Sequence, residues 1–215
     1  PTAALKIRLK NAVKNRCAIT FNRDTIANLP PREDCVEILS SLGFVSVIAD
    51  VVELACSYLG HSNWKRHITI ESAPEVFNCS VFTKYLFGQA GIWIPRLAVQ
   101  QREFGVPVPL EEVCRGDLIF VEGRHAFYYN DPNDGVGHVG IVGDNKTVIH
   151  AGGPDKCVNK MPIKEFLTTC GSFRGVRRIV PKGEMLYTFF MPRDKQVEYS
   201  DDLRWLIMAN LRLLS

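Results

Sequence analysis

The hydrophobic period of this chain changes near Gly105, and that change constrains the fold more than any other feature. Before it, residues 32–42, 45–59, 80–90 and 96–104 read as helices, with Gly43, Gly60, Gly91 and Gly105 placed as terminators. After it, residues 117–121, 138–142, 147–151, 157–161 and 173–180 are short, β-rich and bounded by turn residues. Helices first and strands second predict an α+β domain with an antiparallel sheet. At the N-terminus, residues 4–16 read as a short basic helix and residues 17–21 as a strand, before Pro30-Pro31 breaks the chain. Residues 181–215 look like an addition: Ser200-Asp201-Asp202 is a helix start, and Leu203, Leu206, Ile207 and Leu211 form an apolar stripe by which that helix packs back on the domain, a partner surface being the alternative.

Composition bounds the function. With 215 residues, 46% of them hydrophobic, the chain can bury one sizeable core with appendages. A net charge of +3 is too small to argue for nucleic acid, and the one basic stretch, Lys6, Arg8, Lys10, Lys14 and Arg16, reads as a solvated helix face. The seven cysteines include no CxxC pair, which argues against a tetrahedral zinc site and for a reducing compartment or export without disulfides. No signal-peptide pattern appears, and no apolar run is long enough to span a bilayer.

Cys79 carries the strongest chemical signal. In Asn78-Cys79-Ser80-Val81-Phe82 it stands where a helix begins, with Asn78 as N-cap; Val81, Phe82, Tyr85 and Leu86 share one face behind it. Unpaired amides and the positive dipole end at a helix start favour thiolate, the reactive form. Alone, such a cysteine is more often a structural thiol. Two histidines reverse that weighting: His138 opens an apolar strand and His150 closes the next. Whether their rings meet depends on the loop. A two-residue loop, Asp144-Asn145, puts the rings on opposite faces. A three-residue loop, Asp144 to Lys146, pairs Gly143 with Thr147 and sets His150 opposite Gly140, on the face of His138 and diagonal to it. A working pair therefore predicts the odd loop. The roles follow: Cys79 as nucleophile, His138 as base and then acid, His150 as the group that fixes the His138 tautomer, and the Cys79 amide as oxyanion donor.

Other residues are weaker candidates. Ser80 is a poorer nucleophile than its neighbouring thiol and reads as a helix-start residue. Asp117 reads as a turn or strand-start residue. His61 and His67 precede Cys79 in an irregular stretch and can approach the site; His125, with Tyr128 and Tyr129, lies in a loop that can line a groove. Cys79, His138 and His150 match no familiar zinc spacing, so no metal and no cofactor is expected.

The chain resembles the NlpC family of papain-like cysteine peptidases, mostly bacterial cell-wall hydrolases, over residues 49–180. The resemblance rests on Asn78-Cys79-Ser80-Val81-Phe82, Ile94-Pro95-Arg96 with Gln100, Arg115-Gly116-Asp117-Leu118-Ile119-Phe120, His138-Val139-Gly140-Ile141 with His150 twelve residues on, and Phe173 through Arg177-Arg178. It implies a papain-like fold in which the Cys79 helix packs on an antiparallel sheet carrying both histidines. It also implies hydrolysis of a peptide or amide bond, typically in peptidoglycan stem peptides, without metal. Residues 1–48 are then a mainly helical N-terminal extension and residues 181–215 a C-terminal extension ending in a helix. The chain departs from the family at Asn78, at Val81 and before the nucleophile, where a Tyr-x-Trp-Gly-Gly approach normally lends a tyrosine hydroxyl to the oxyanion. Here Leu59-Gly60-His61-Ser62-Asn63-Trp64 puts Asn63 at the tyrosine's place, so Asn63 and Trp64, with Ser80, are the oxyanion or substrate candidates. The expected partner is a peptide or peptidoglycan fragment, and secretion follows if the chain is a processed cell-wall enzyme. Two other readings remain open: an amidase, transpeptidase or acyltransferase of the same fold on a non-wall substrate, and a retired fold used as a binding module.

Overall fold

A computed structural model describes residues 9–10, 15–21, 29–122, 135–152 and 156–214. In chain order the elements are β1 (Arg16–Thr20), α1 (Arg32–Ser41), β2 (Val45–Val47), α2 (Val51–Ser57), α3 (Cys79–Gln89), α4 (Ala98–Arg102), β3 (Val106–Pro107) and β4 (Leu118–Val121). There follow β5 (His138–Val142), β6 (Thr147–Gly152), β7 (Cys157–Pro162), α5 (Ile163–Thr169), β8 (Phe173–Arg178), β9 (Leu186–Phe190) and α6 (Ser200–Leu214). The chain divides into two compact units, one of residues 1–50, 87–93 and 183–215, the other of residues 51–86 and 94–182.

The first unit is built on an antiparallel sheet in the order β1-β9-β2, with Cys17 opposite Phe189 and Val47 opposite Thr188. Cys17, Ile19, Cys35, Leu39, Phe44, Phe189, Leu203 and Ile207 form its core, and Leu206 and Leu211 pack partly buried against it. The apolar stripe of α6 therefore turns inward, as its spacing predicts. Asp202 caps this helix by accepting the N–H groups of Glu198 (2.8 Å) and Tyr199 (2.9 Å), so its carboxylate meets amides that the helix leaves unpaired.

Three expectations change in this unit. The stretch 45–59 is not one helix. Val45–Val47 is a strand, because pairing with β9 gives its β-branched residues a ladder, and helix α2 starts only at Val51. The strand β9, missed in the sequence, is the centre of the sheet. Most of the basic helix expected over residues 4–16 lies outside the described residues, but its end is corrected: Arg16 already belongs to β1.

The second unit holds a six-stranded antiparallel sheet in the order β3-β8-β4-β5-β6-β7. Its registers fix what faces what: Val121 stands opposite His138 between β4 and β5, and Ile141 opposite Ile149 between β5 and β6. Ile119, Val121, Val142, Val148, Phe166 and Val176 fill one cluster. Val81, Phe82 and Leu86 of α3 are fully buried, the face predicted from their spacing. Tyr58, Phe77, Phe82 and Tyr85 meet edge to face, with the Tyr58 and Tyr85 hydroxyls 3.0 Å apart. This is the α+β arrangement expected, a cysteine-bearing helix with an antiparallel sheet that carries both histidines.

Candidate active site

The cysteine is held at the start of its helix by a set of polar contacts. Asn78 acts as the N-cap, its Oδ1 accepting the N–H of Val81 at 2.9 Å. The same side chain donates from Nδ2 to the carbonyl of Arg66 (2.9 Å), tying the helix start to the irregular approach. Ser80 is buried; its Oγ accepts from Arg96 Nη1 at 2.9 Å. Gln101, also fully buried, donates to the carbonyls of Ser80 and Pro95 at 3.0 Å each and accepts from Thr83 Oγ1 at 2.8 Å. Cys79 stays partly exposed between these fixed neighbours.

Two opposing effects act on its thiol. Burial pushes it up, because a thiolate loses water there. The backbone N–H groups of Val139 and Ser80, the Arg96 charge and its own amide pull the other way. The contact with Val139 places the thiol against β5, next to His138 in the chain.

The two histidines meet through the hairpin. Asp144–Lys146 is a three-residue turn, with Asn145 and Lys146 both at φ +54°, and the Gly143 N–H reaches the Thr147 carbonyl at 2.9 Å. Continuing the register of Ile141 with Ile149 sets Gly140 opposite His150, as the odd loop length requires. Gly140 is needed at that spot: a Cβ there would lie 2.3 Å from Val148 Cγ1 and 3.3 Å from His150 Cβ. His138 Nε2 and His150 Nδ1 are 2.9 Å apart, with the rings near perpendicular at 88°. Phe166 of α5 closes over both, 5.7 Å and 5.1 Å from their ring centres. Burial lowers His150 to about 4; burial, then the neighbouring His150, lowers His138 to about 3. Both imidazoles are therefore neutral near pH 7. Such a pair can fix one tautomer of His138 and leave its other ring nitrogen to accept a proton.

Cys79 and His138 line one cavity of about 1190 Å³, together with Trp64, Ser80, Arg96 and Gly152. Trp64 belongs to this wall: a Cβ on Gly152, itself at φ +139°, would sit 3.5 Å from the indole Nε1 and 3.3 Å from His138 Cε1. Asn63 does not. Its Nδ2 donates to the Glu75 carbonyl at 2.8 Å, and its backbone pairs with Phe77, so its amide is committed outside the cleft. Of the two residues that the approach offers, Trp64 lines the cavity and Asn63 does not.

The remaining candidates separate as well. His61 bonds the same Glu75 carbonyl (3.0 Å) and packs on Phe77, away from the cleft, whereas His67 lines it. Asp117 is structural: it is buried, accepts Arg178 Nε and Nη2 at 2.9 and 2.8 Å, and caps the Cys114 N–H at 2.9 Å. His125, Tyr128 and Tyr129 lie outside the described residues. Sequence reasoning missed Gln101, Phe166 and Cys170. A polar side chain inside a five-residue helix gave the only hint of Gln101, and α5 was not read at all, so nothing pointed to Phe166 or Cys170.

A cysteine at the start of a helix, with two coupled histidines on neighbouring strands of an antiparallel sheet, defines a papain-like domain. The model of the NlpC/P60 family matches residues 56–169, more than half of the chain, and the chain belongs to that family. It is 36% identical over 80 residues to a probable endopeptidase p60 of Listeria seeligeri, covering 37% of this chain and 14% of that one. It is 32% identical over 108 residues to a gamma-D-glutamyl-L-lysine dipeptidyl-peptidase of Bacillus cereus, covering 49% and 29% respectively. The chain thus spans under a third of the length of these two relatives. In fold it is similar to NlpC1 from Trichomonas vaginalis, with a TM-score of 0.51 and 21% identity over 61% of this chain and 44% of that one.

Proposed function

We propose that this protein is a cysteine peptidase that cleaves an amide bond in peptidoglycan stem peptides, with Cys79 as nucleophile, His138 as general base and His150 as the residue that orients it. The observation that carries this reading is the 2.9 Å contact between His138 Nε2 and His150 Nδ1, on the wall of the cavity that also holds Cys79. With His150 accepting from Nε2–H, His138 keeps the lone pair of Nδ1 for the thiol proton.

The steps balance on these groups. Cys79 Sγ attacks the carbonyl carbon and its proton passes to His138. The oxyanion forms beside the free amides at the start of α3 and the Trp64 indole N–H. His138 then gives its proton to the leaving amine, and a thioester remains on Cys79. Water, deprotonated by His138, attacks the thioester, and the thiol is restored as the acid departs. Both groups start neutral, so proton transfer accompanies attack rather than preceding it.

Two further facts support the substrate class. One relative is named a probable endopeptidase and another a gamma-D-glutamyl-L-lysine dipeptidyl-peptidase, which names a bond between a D-glutamyl and a diamino acid residue. The described cleft lining carries Lys65, Arg66, Arg96 and Lys156 and no carboxylate, which suits a peptide bearing free carboxylates. The test is digestion of purified muropeptides by the wild type and by Cys79→Ala, read by mass. New fragments from the wild type alone are expected. A wild type that is alkylated at Cys79 in a His138-dependent way, yet cuts no muropeptide, moves the same chemistry to a non-wall amide.

A further inference from the structure

His138 and His150 have a third neighbour that the hydrolytic chemistry does not use. Cys170 caps the end of α5, directly after the helix that carries Phe166, and its Sγ lies within 4.8 Å of a ring nitrogen of each histidine. His150 is fully buried, and its Nε2 has no hydrogen-bond partner. An unpartnered buried ring nitrogen costs free energy unless something binds it. Cys170 and His138 both border the cleft, which gives an entry path from solvent.

We propose that His138, His150 and Cys170 form a site for a thiophilic divalent cation, zinc by its donor set, and that filling it switches the thiol chemistry off. Two imidazoles and a thiolate suit zinc, with the fourth position left open towards the cleft. Bond lengths of ~2.0–2.1 Å to nitrogen and ~2.3 Å to sulfur require donor separations of roughly 3.3–3.6 Å, so side-chain shifts of about an ångström complete the site. Binding releases the Cys170 thiol proton to solvent. It silences His138 whichever nitrogen is used. A neutral imidazole has one lone pair: if the metal takes it at Nδ1 the base is gone, and if at Nε2 the proton sits on Nδ1 and cannot be joined by another.

The inhibitory role rests on the proposed reaction, but the site does not, and the experiment separates them. Zinc binding is measured with Cys79→Ala, which cannot react, by competition with a chromophoric chelator. One equivalent should bind, and Cys79→Ala/Cys170→Ala should bind at least tenfold more weakly. In Cys79→Ala, cobalt should give a thiolate charge-transfer absorption that Cys170→Ser removes, a readout that holds if the Ala variant folds poorly. With active enzyme, zinc should inhibit, a chelator should restore activity, and Cys170→Ala should keep the basal rate while needing at least tenfold more zinc. Equal zinc binding with and without Cys170 overturns the site. Equal inhibition of wild type and Cys170→Ala overturns the switch, because the metal then acts at Cys79 and His138 alone. An inactive wild type that still binds zinc through Cys170 overturns the proposed reaction and leaves the site standing.

Discussion

Moving from pH 7 to pH 5 withdraws stability through His138 and His150. Burial carries His150 from its ordinary 6.5 to about 4, and burial and then His150 carry His138 to about 3. Both bind fewer protons folded than unfolded between those values and 6.5. Their contribution is therefore fully present above 6.5 and drains as the pH falls. One group titrating at 6.5 unfolded and near 4 folded loses about 2 kcal/mol of stability over this step, by integration of the proton difference. A charge on one opposes a charge on the other, which keeps both neutral in the folded state at pH 5, so the pair together loses about 4 kcal/mol. His150→Leu keeps an apolar side chain of similar size against Phe166 and removes one of the two titrations. Urea denaturation of wild type and variant at both pH values measures the effect. Carboxylates that begin to titrate at pH 5 act equally in both proteins and cancel in the difference. The pH-dependent loss should shrink by about 2 kcal/mol in the variant. An equal loss in the two proteins refutes the claim that buried neutral imidazoles set the acid sensitivity.

Three other outcomes are expected. Alkylation of Cys79 by iodoacetamide should accelerate as the pH rises through the alkaline range, because burial pushes its thiol up; a rate already at plateau below pH 7 would show a resting thiolate–imidazolium pair instead. Asp117→Ala strands the mostly buried Arg178 guanidinium and the Cys114 amide and should cost about 3–5 kcal/mol in chemical denaturation; a loss under ~1 kcal/mol would mean the pair is solvent-relaxed. Gly140→Ala drives a methyl into Val148 and His150, so a stability loss of about 1–3 kcal/mol and a fall in muropeptide cleavage are expected, and unchanged melting and activity would contradict the close approach.

What the sequence revealed, and what it hid, follows from the range of the interactions involved. The helix behind Cys79 was readable because Asn78, Val81, Phe82 and Leu86 form a local pattern, and the structure keeps all of it, cap included. β9 was not readable as the centre of a sheet, because its partners lie more than 130 residues away at β1 and β2 and nothing local announces them. The same distant pairing split the run 45–59, where a ladder overrode an apolar pattern that fits a helix equally well. Asn63 and Trp64 could not be told apart in the sequence for a third reason. Side-chain direction in an irregular segment has no period, and here it was decided by the carbonyl of Glu75, which takes Asn63 and His61 together and leaves the cleft to the indole.

The histidine pair is the case where a count of residues sufficed. In a hairpin the side-chain period is two, so loop parity alone decides which face a residue occupies. Asp144, Asn145 and Lys146 make three, and two of them take positive φ to close the turn. Given that parity, His150 must share a face with His138, and the absence of a side chain on Gly140 lets the second ring lie diagonal to the first. Parity places the rings but does not bury them. Burial comes from α5, whose Phe166 covers both imidazoles and whose terminal Cys170 stands within reach of their nitrogens. The element that the sequence reading passed over thus sets the lowered proton affinity of the candidate base and supplies the third donor beside it, so chemistry written in β5 and β6 is tuned from a helix that follows them.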